Sequence, residues 1–189
     1  MIDPQRQPAA DRGADAPIEK RQDERLAPSK PFHPGLPTGT GLGKYRILER
    51  IKTSHNAIIY KARDIMLDRL VTIKQMSPEL IDDPIACGTF RREAQFLARI
   101  PRGHAHVVSI HEMIEDDLGL FIVEEHVPGD WLELLIAKRM LDLNDALGIL
   151  RTVALGLRTL HSLGVAHRGI HPGNIVVSKS GRAKIANLS

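Results

Sequence analysis

His167-Arg168-Gly169-Ile170-His171-Pro172-Gly173-Asn174 is the stretch whose reading decides the fold. It reads as strand, loop, strand. Val165 and Ala166 form a short apolar lead-in. Gly169, Pro172 and Gly173 punctuate a loop. Ile175-Val176-Val177 is then a buried strand. Ser178-Lys179-Ser180-Gly181 makes a turn, and residues 183–186 are a second strand running out at Asn187-Leu188-Ser189.

Upstream, residues 45–49 alternate in polarity and open a sheet, with further strands at 58–62 and 70–75 rich in β-branched and aromatic residues. Residues 89–100 show the three- and four-residue apolar spacing of a helix through Phe90, Ala94, Leu97 and Ala98. Two more strands follow at 107–113 and 120–125, joined by an acidic turn. Asp130 caps a short helix over 131–139, and Asp142 caps a longer one over 143–163. The longer helix carries the stripe Leu147, Leu150, Val153, Ala154, Leu157 and Leu160, and Gly164 stops it.

The order of these elements, and the quoted loop, resemble the eukaryotic-like Ser/Thr protein kinase family. Its catalytic loop reads His-Arg-Asp-Leu-Lys-Pro-x-x-Asn and is followed by Asp-Phe-Gly. His167, Arg168, Pro172 and Asn174 fit that pattern, and Val71-Thr72-Ile73-Lys74 fits Val-Ala-Ile-Lys. The resemblance implies an α+β protein-kinase-like fold. A five-stranded antiparallel N-lobe with helix C spans residues 39–127, and an incomplete helical C-lobe spans 128–189. In this register Lys74 is the phosphate-binding lysine and Glu93 its helix-C partner. Glu125 and Val127 are hinge backbone, and Ile59 and Val176 sandwich a base. Glu124 stands at the back of the base pocket. Buried unpaired it would be costly, so it either finds Lys74, stays hydrated or turns outward on a bulge. Leu97, Ile110, His167 and Leu188 fall on the stack that ties the two lobes.

The positions that carry the family's chemistry are changed. Gly169 stands where the catalytic Asp belongs and His171 where the Lys belongs. Asn187-Leu188-Ser189 replaces Asp-Phe-Gly, and Lys52, Ser54 and Ala57 replace the three glycines that close over phosphates. Loss of a general base costs about 10²–10⁴ in rate. Asn174 and Asn187 would be weak, degenerate metal ligands, because Mg²⁺ prefers carboxylates. The resemblance therefore implies a pseudokinase, a binding or regulatory module with weak ATP affinity at most and a doubtful Mg²⁺ site. An active or residually active Ser/Thr kinase and a non-functional remnant are the alternatives.

The 189 residues allow one domain with a sizeable core. Residues 1–38 hold seven of the twelve prolines and few large apolar side chains, so they are expected to be a disordered charged tail. The net charge of +3 makes no case for nucleic acid. No apolar run nears the roughly 20 residues that span a bilayer, and Cys87 is the single cysteine, so a reducing, cytoplasmic setting is expected. The family's segments after residue 189 would cover the outer side of the long helix. A protein partner, a homodimer or a missing C-terminal half is expected to do so.

Overall fold

The computed structural model describes residues 35–188; most of the expected tail lies outside them. The first unit of structure is an antiparallel sheet. It comprises β1 (Gly41–Leu42), β2 (Tyr45–Thr53), β3 (Ala57–Asp64), β4 (Arg69–Met76), β5 (Ile110–Asp116) and β6 (Gly119–Glu125), in the order β1-β2-β3-β4-β6-β5. The sheet has six strands, not the expected five, because Gly41 and Leu42 fold back on Arg46 and Tyr45. Two residues carry too little periodicity to be read from sequence.

Alternation along these strands makes two buried faces. Tyr45, Ile47, Tyr60, Val71, Ile73, Phe121 and Val123 pack on one side. The Tyr60 hydroxyl is enclosed there, donating to Gln75 Oε1 at 2.8 Å and accepting from the Leu36 N–H at 2.7 Å. On the other side Met76, Leu120 and Ile122 meet Cys87, Phe90 and Ala94 of helix α1 (Pro84–Leu97). That helix begins five residues before the expected Thr89. Asp83 accepts from the Ile85 and Ala86 N–H groups, and Pro84 takes the first turn, where it forfeits no hydrogen bond.

The second unit is a three-stranded sheet of β7 (Gly129–Trp131), β8 (Ile175–Ser178) and β9 (Ala183–Ile185), with helices α2 (Leu132–Ala137) and α3 (Leu143–Ser162). Asp130 does not cap α2, contrary to expectation. It pairs with Val177 inside β7, and the helix starts only at Leu132. Asp142 does cap α3, in a reciprocal capping box with Asp145. Gly156 lets α3 lie directly on β9: a Cβ there would sit 2.7 Å from Ile185 Cδ1 and 2.8 Å from the His106 carbonyl.

The expected strand over 107–113 divides. Ile110 onward joins β6, whereas Ile185 N–H donates to His106 O and Val108 N–H to Ile185 O, both at 2.9 Å. The 106–108 segment thus links the two sheets. A buried cluster of Leu97, Ile100, Val107, Leu160, Val165 and Leu188 joins them further. Each fully buried leucine there contributes about 1.5–3 kcal/mol.

Candidate functional site

β4 and α1 present Lys74 and Glu93 to each other. Lys74 Nζ lies 2.7 Å from both carboxylate oxygens of Glu93, and both side chains are buried. Burial pushes the Glu93 carboxyl up; the Lys74 charge and hydrogen bonds, and the Leu188 N–H, pull it back, and the net direction is up. A bidentate pair of this kind holds the helix against the sheet.

The quoted loop is folded by its own side chains. His167 is buried, with Nε2 3.2 Å from the Ala186 carbonyl. A carbonyl only accepts, so Nε2 carries the proton and Nδ1 accepts from the Gly169 N–H at 3.3 Å. Burial keeps this imidazole below the usual histidine range. His171 is exposed and accepts from the Gly173 N–H at 3.1 Å, which opens the 3₁₀ turn Pro172–Asn174. Asn174 Nδ2 donates to Gly169 O at 2.9 Å, and Asn187 Nδ2 donates to Asn174 Oδ1 at 3.1 Å. Asn187 has φ of 53°, a left-handed value that asparagine tolerates. Its Oδ1 is buried without a hydrogen-bond partner among the described residues. The two expected metal ligands are therefore brought together, but as neutral amides bonded to each other. They do not fit Mg²⁺, which favours anionic oxygen donors in an octahedron.

Lys52 holds a place that the sequence did not reveal. From β2 its Nζ reaches Glu133 Oε1 of α2 at 2.6 Å and the Gly173 carbonyl at 3.2 Å, and lies 5.2 Å from the centre of the Trp131 ring. Where the kinase pattern has glycine, this chain has a lysine that crosses from the sheet to the loop. Its partners lie 81 and 121 residues away, beyond any local signal. The hairpin beside it is tight, with Ser54 N–H donating to Ala57 O at 2.9 Å.

Behind Lys52 is a cavity of about 140 Å³ whose lining includes Ile51, Thr72, Glu124, Val127, Trp131 and Val176. Val176, Val127 and Glu125 line this cavity. Ile59 is buried in β3, opposite Lys52 and Lys74 in register, and Ile51 rather than Ile59 lines the cavity. The Glu125 N–H is engaged by Ser109 O at 2.9 Å and its carboxylate pairs with Lys184. Glu124 points inward. The residue is 3% exposed and Oε1 has no hydrogen-bond partner among the described residues. It neither binds Lys74, which Glu93 holds, nor turns outward. Burial pushes its carboxyl up to about 8, against the attraction of Lys74 and with the repulsion of Glu93 and Glu125.

Leu97, Ile110 and Leu188 share one packed cluster, and His167 is buried beside Ala186, so the side chains that join the two units are in place. Among the described residues no helix is long and apolar enough to cross a membrane.

The protein kinase domain model matches residues 45–188. The Ser/Thr protein kinase PrkC of Bacillus subtilis is 34% identical over 147 residues, covering 77% of this chain and 22% of that protein. The Ser/Thr protein kinase PknL of Mycobacterium tuberculosis is 30% identical over 146 residues, covering 77% of this chain and 36% of that protein. This chain thus spans well under half the length of either relative. Among solved structures, the PknI kinase domain of M. tuberculosis superposes with a TM-score of 0.71 at 26% identity, over 82% of this chain and 61% of that one. With the Lys74–Glu93 pair, the loop and the lobe-joining cluster in one arrangement, the chain belongs to the eukaryotic-like Ser/Thr protein kinase family.

Proposed function

We propose that this chain is a pseudokinase module, a kinase fold that binds and regulates and does not transfer phosphate. The observation that carries this reading is the chain of hydrogen bonds from Asn187 through Asn174 to Gly169. Phosphoryl transfer needs a base for the hydroxyl and metal ions between the phosphates. At those positions stand a residue without a side chain and two neutral amides joined by one hydrogen bond. ATP affinity is weak and does not depend on Mg²⁺: Lys74 is available to a phosphate, but Lys52 crosses the cleft and no carboxylate anchors a cation. A second reading, residual Ser/Thr kinase activity, draws on the intact Lys74–Glu93 pair.

Radiolabelled ATP with generic protein substrates separates the two. No incorporation above a Lys74→Ala control supports the pseudokinase, and incorporation that the control abolishes supports the kinase. The outer side of α3 is the surface offered to a protein partner, a second copy or further C-terminal chain. We assign the module to the cytoplasm, where its buried, unpaired Cys87 stays reduced.

A further inference from the structure

The segment that links β6 to β7 borders two cavities. Glu125, His126 and Val127 line the cleft cavity, and they also line a groove of about 520 Å³. Gly103, Ala105 and the turn between β8 and β9 complete the groove. Its walls are fixed to each other. Lys184 of β9 pairs with the Glu125 carboxylate, and Gly129 pairs in register with Ser178 of β8. A Cβ at Gly129 would run into the Val177 carbonyl, so this close approach requires glycine.

The turn holds its own basic groups in position. Ser178 N–H donates to Arg182 O at 2.8 Å and Gly181 N–H to Ser178 O at 2.9 Å. Arg182 Nε donates to Ser180 Oγ at 3.3 Å, and that hydroxyl lies 3.0 Å from Ser178 Oγ. The guanidinium is thereby oriented, and its terminal N–H fork has no partner among the described residues. Lys179, exposed on the same turn, has no ion-pair partner among them either. Glu125 is the one acidic residue on the lining, and Lys184 neutralises it. Burial keeps the His126 imidazole below its usual range, so it adds no charge at neutral pH. The uncompensated charges of the groove are therefore Lys179 and Arg182.

These features select among anionic occupants. A membrane surface is read by clusters of roughly four to eight Lys and Arg, and nucleic acid by a comparable run of phosphate contacts. Two cations suffice for neither, but they match a pair of carboxylates. An oriented guanidinium takes a carboxylate through two parallel hydrogen bonds, and it loses less freedom in doing so than an unrestrained side chain. We propose that this groove docks an acidic peptide segment of a partner protein, with one carboxylate held by the Arg182 fork and a second by Lys179. Val127, Pro128 and Ala105 give the rest of the peptide an uncharged wall. This docking does not depend on the nucleotide reading above or on whether the chain transfers phosphate.

The probe is fluorescein-labelled hexaglutamate, titrated with the whole chain and followed by anisotropy; labelled hexaglutamine is the neutral peptide of the same length. Hexaglutamate is expected to bind about tenfold more tightly than hexaglutamine at low salt, with the preference fading as salt screens the exposed contacts. Lys179→Gln with Arg182→Gln should remove the preference. Lys138→Gln with Arg158→Gln makes the same change of net charge at exposed residues outside the groove and should keep it. Arg182→Lys keeps the charge without the fork and should lose part of it. Equal binding of the two peptides, or equal loss in the two double variants, overturns the proposal. Full affinity in Arg182→Lys overturns the fork contact. Binding to phosphatidylserine vesicles without binding to hexaglutamate overturns the proposal in favour of a membrane. If the double variant in the turn does not fold, Lys179→Gln alone decides.

Discussion

Asn187 donates to Asn174 at 3.1 Å, and Asn174 donates in turn to the Gly169 carbonyl at 2.9 Å. The two residues aligned with the family's metal ligands thus use their amides to hold the loop. A carboxylate at 187 would face the Asn174 oxygen as acceptor against acceptor. Asn187→Asp is therefore expected to lower stability by about 1 kcal/mol in the absence of metal. It is also expected to make stabilisation by ATP depend on Mg²⁺, a dependence not expected of the wild type. Thermal shift with ATP, with and without Mg²⁺, reads both effects. A wild type already stabilised strongly by Mg²⁺ and ATP together would show that the amide pair opens to accept the ion.

Gly169→Asp supplies the missing carboxylate without the metal site. It is expected to leave phosphate incorporation at the level of the Lys74→Ala control, because a base contributes only when the phosphates and metal are positioned. Incorporation of label by Gly169→Asp alone would mean that the asparagine pair is no obstacle to transfer.

Glu124 links stability to pH. Its carboxyl is raised from 4.5 to about 8 in the folded chain. The folded state therefore holds a proton that the unfolded state releases between those values, and stability from this group falls as pH rises through that window. Each unit is worth about 1.4 kcal/mol, so the ceiling is roughly 5 kcal/mol. Glutamine removes the titration and keeps the shape. Glu124→Gln should gain stability over the wild type progressively from about pH 5 to about pH 8, then hold that gain. A difference that does not change with pH would show that the carboxyl titrates normally.

Leu36 revises where the tail ends. The sequence places a disordered segment over residues 1–38, yet the Leu36 N–H donates to Tyr60 and its side chain packs on the first cluster of the sheet. Starting the chain at residue 35 is expected to leave the melting temperature unchanged. Starting it at residue 39 is expected to lower stability by about 1–3 kcal/mol, through a lost apolar contact and a buried hydroxyl short of one donor. Equal melting of the two shortened chains would remove Leu36 from the core.

The kinase fold was legible because its signals are local: alternation over β2 to β6, helical spacing in α1 and α3, and loop residues at fixed offsets. The Lys74–Glu93 pair followed from register. The start of α1 is also legible in Asp83-Pro84, an N-cap before a first-turn proline, whereas the apolar stripe alone places it at Thr89. Other features depend on where distant segments meet. Lys52 on Gly173, Gly156 against Ile185, and β7 taking Asp130 from a helix cap all join residues tens of positions apart. No pattern within either segment encodes such a meeting. Glu124 lay between: the register located it, but its direction rested on packing.

Helix α3 carries the last prediction. The stripe read from sequence divides in two. Val153 and Leu160 are buried, together with Ile149, against Ile185 and the lobe-joining cluster. Leu147 and Leu150 are 56% and 63% exposed, with Leu143 at 74% on the same helix, and Ile136 and Met140 are also exposed nearby. A patch of large apolar side chains of this kind, once it reaches several hundred Å², marks an interaction surface or an aggregation liability. Covering it would contribute several kcal/mol at about 25 cal/mol per Å², comparable to the whole stability of a small domain. The folded part is therefore expected to associate through this face when purified as given. Light scattering across a dilution series should show mass rising with concentration, with binding of an apolar dye at the dilute end. Leu147→Lys with Leu150→Lys should abolish both signals while leaving the melting temperature within a few degrees, since neither side chain supports the buried side. A monomer at all concentrations that binds no dye would show that this face is satisfied in water and needs no cover.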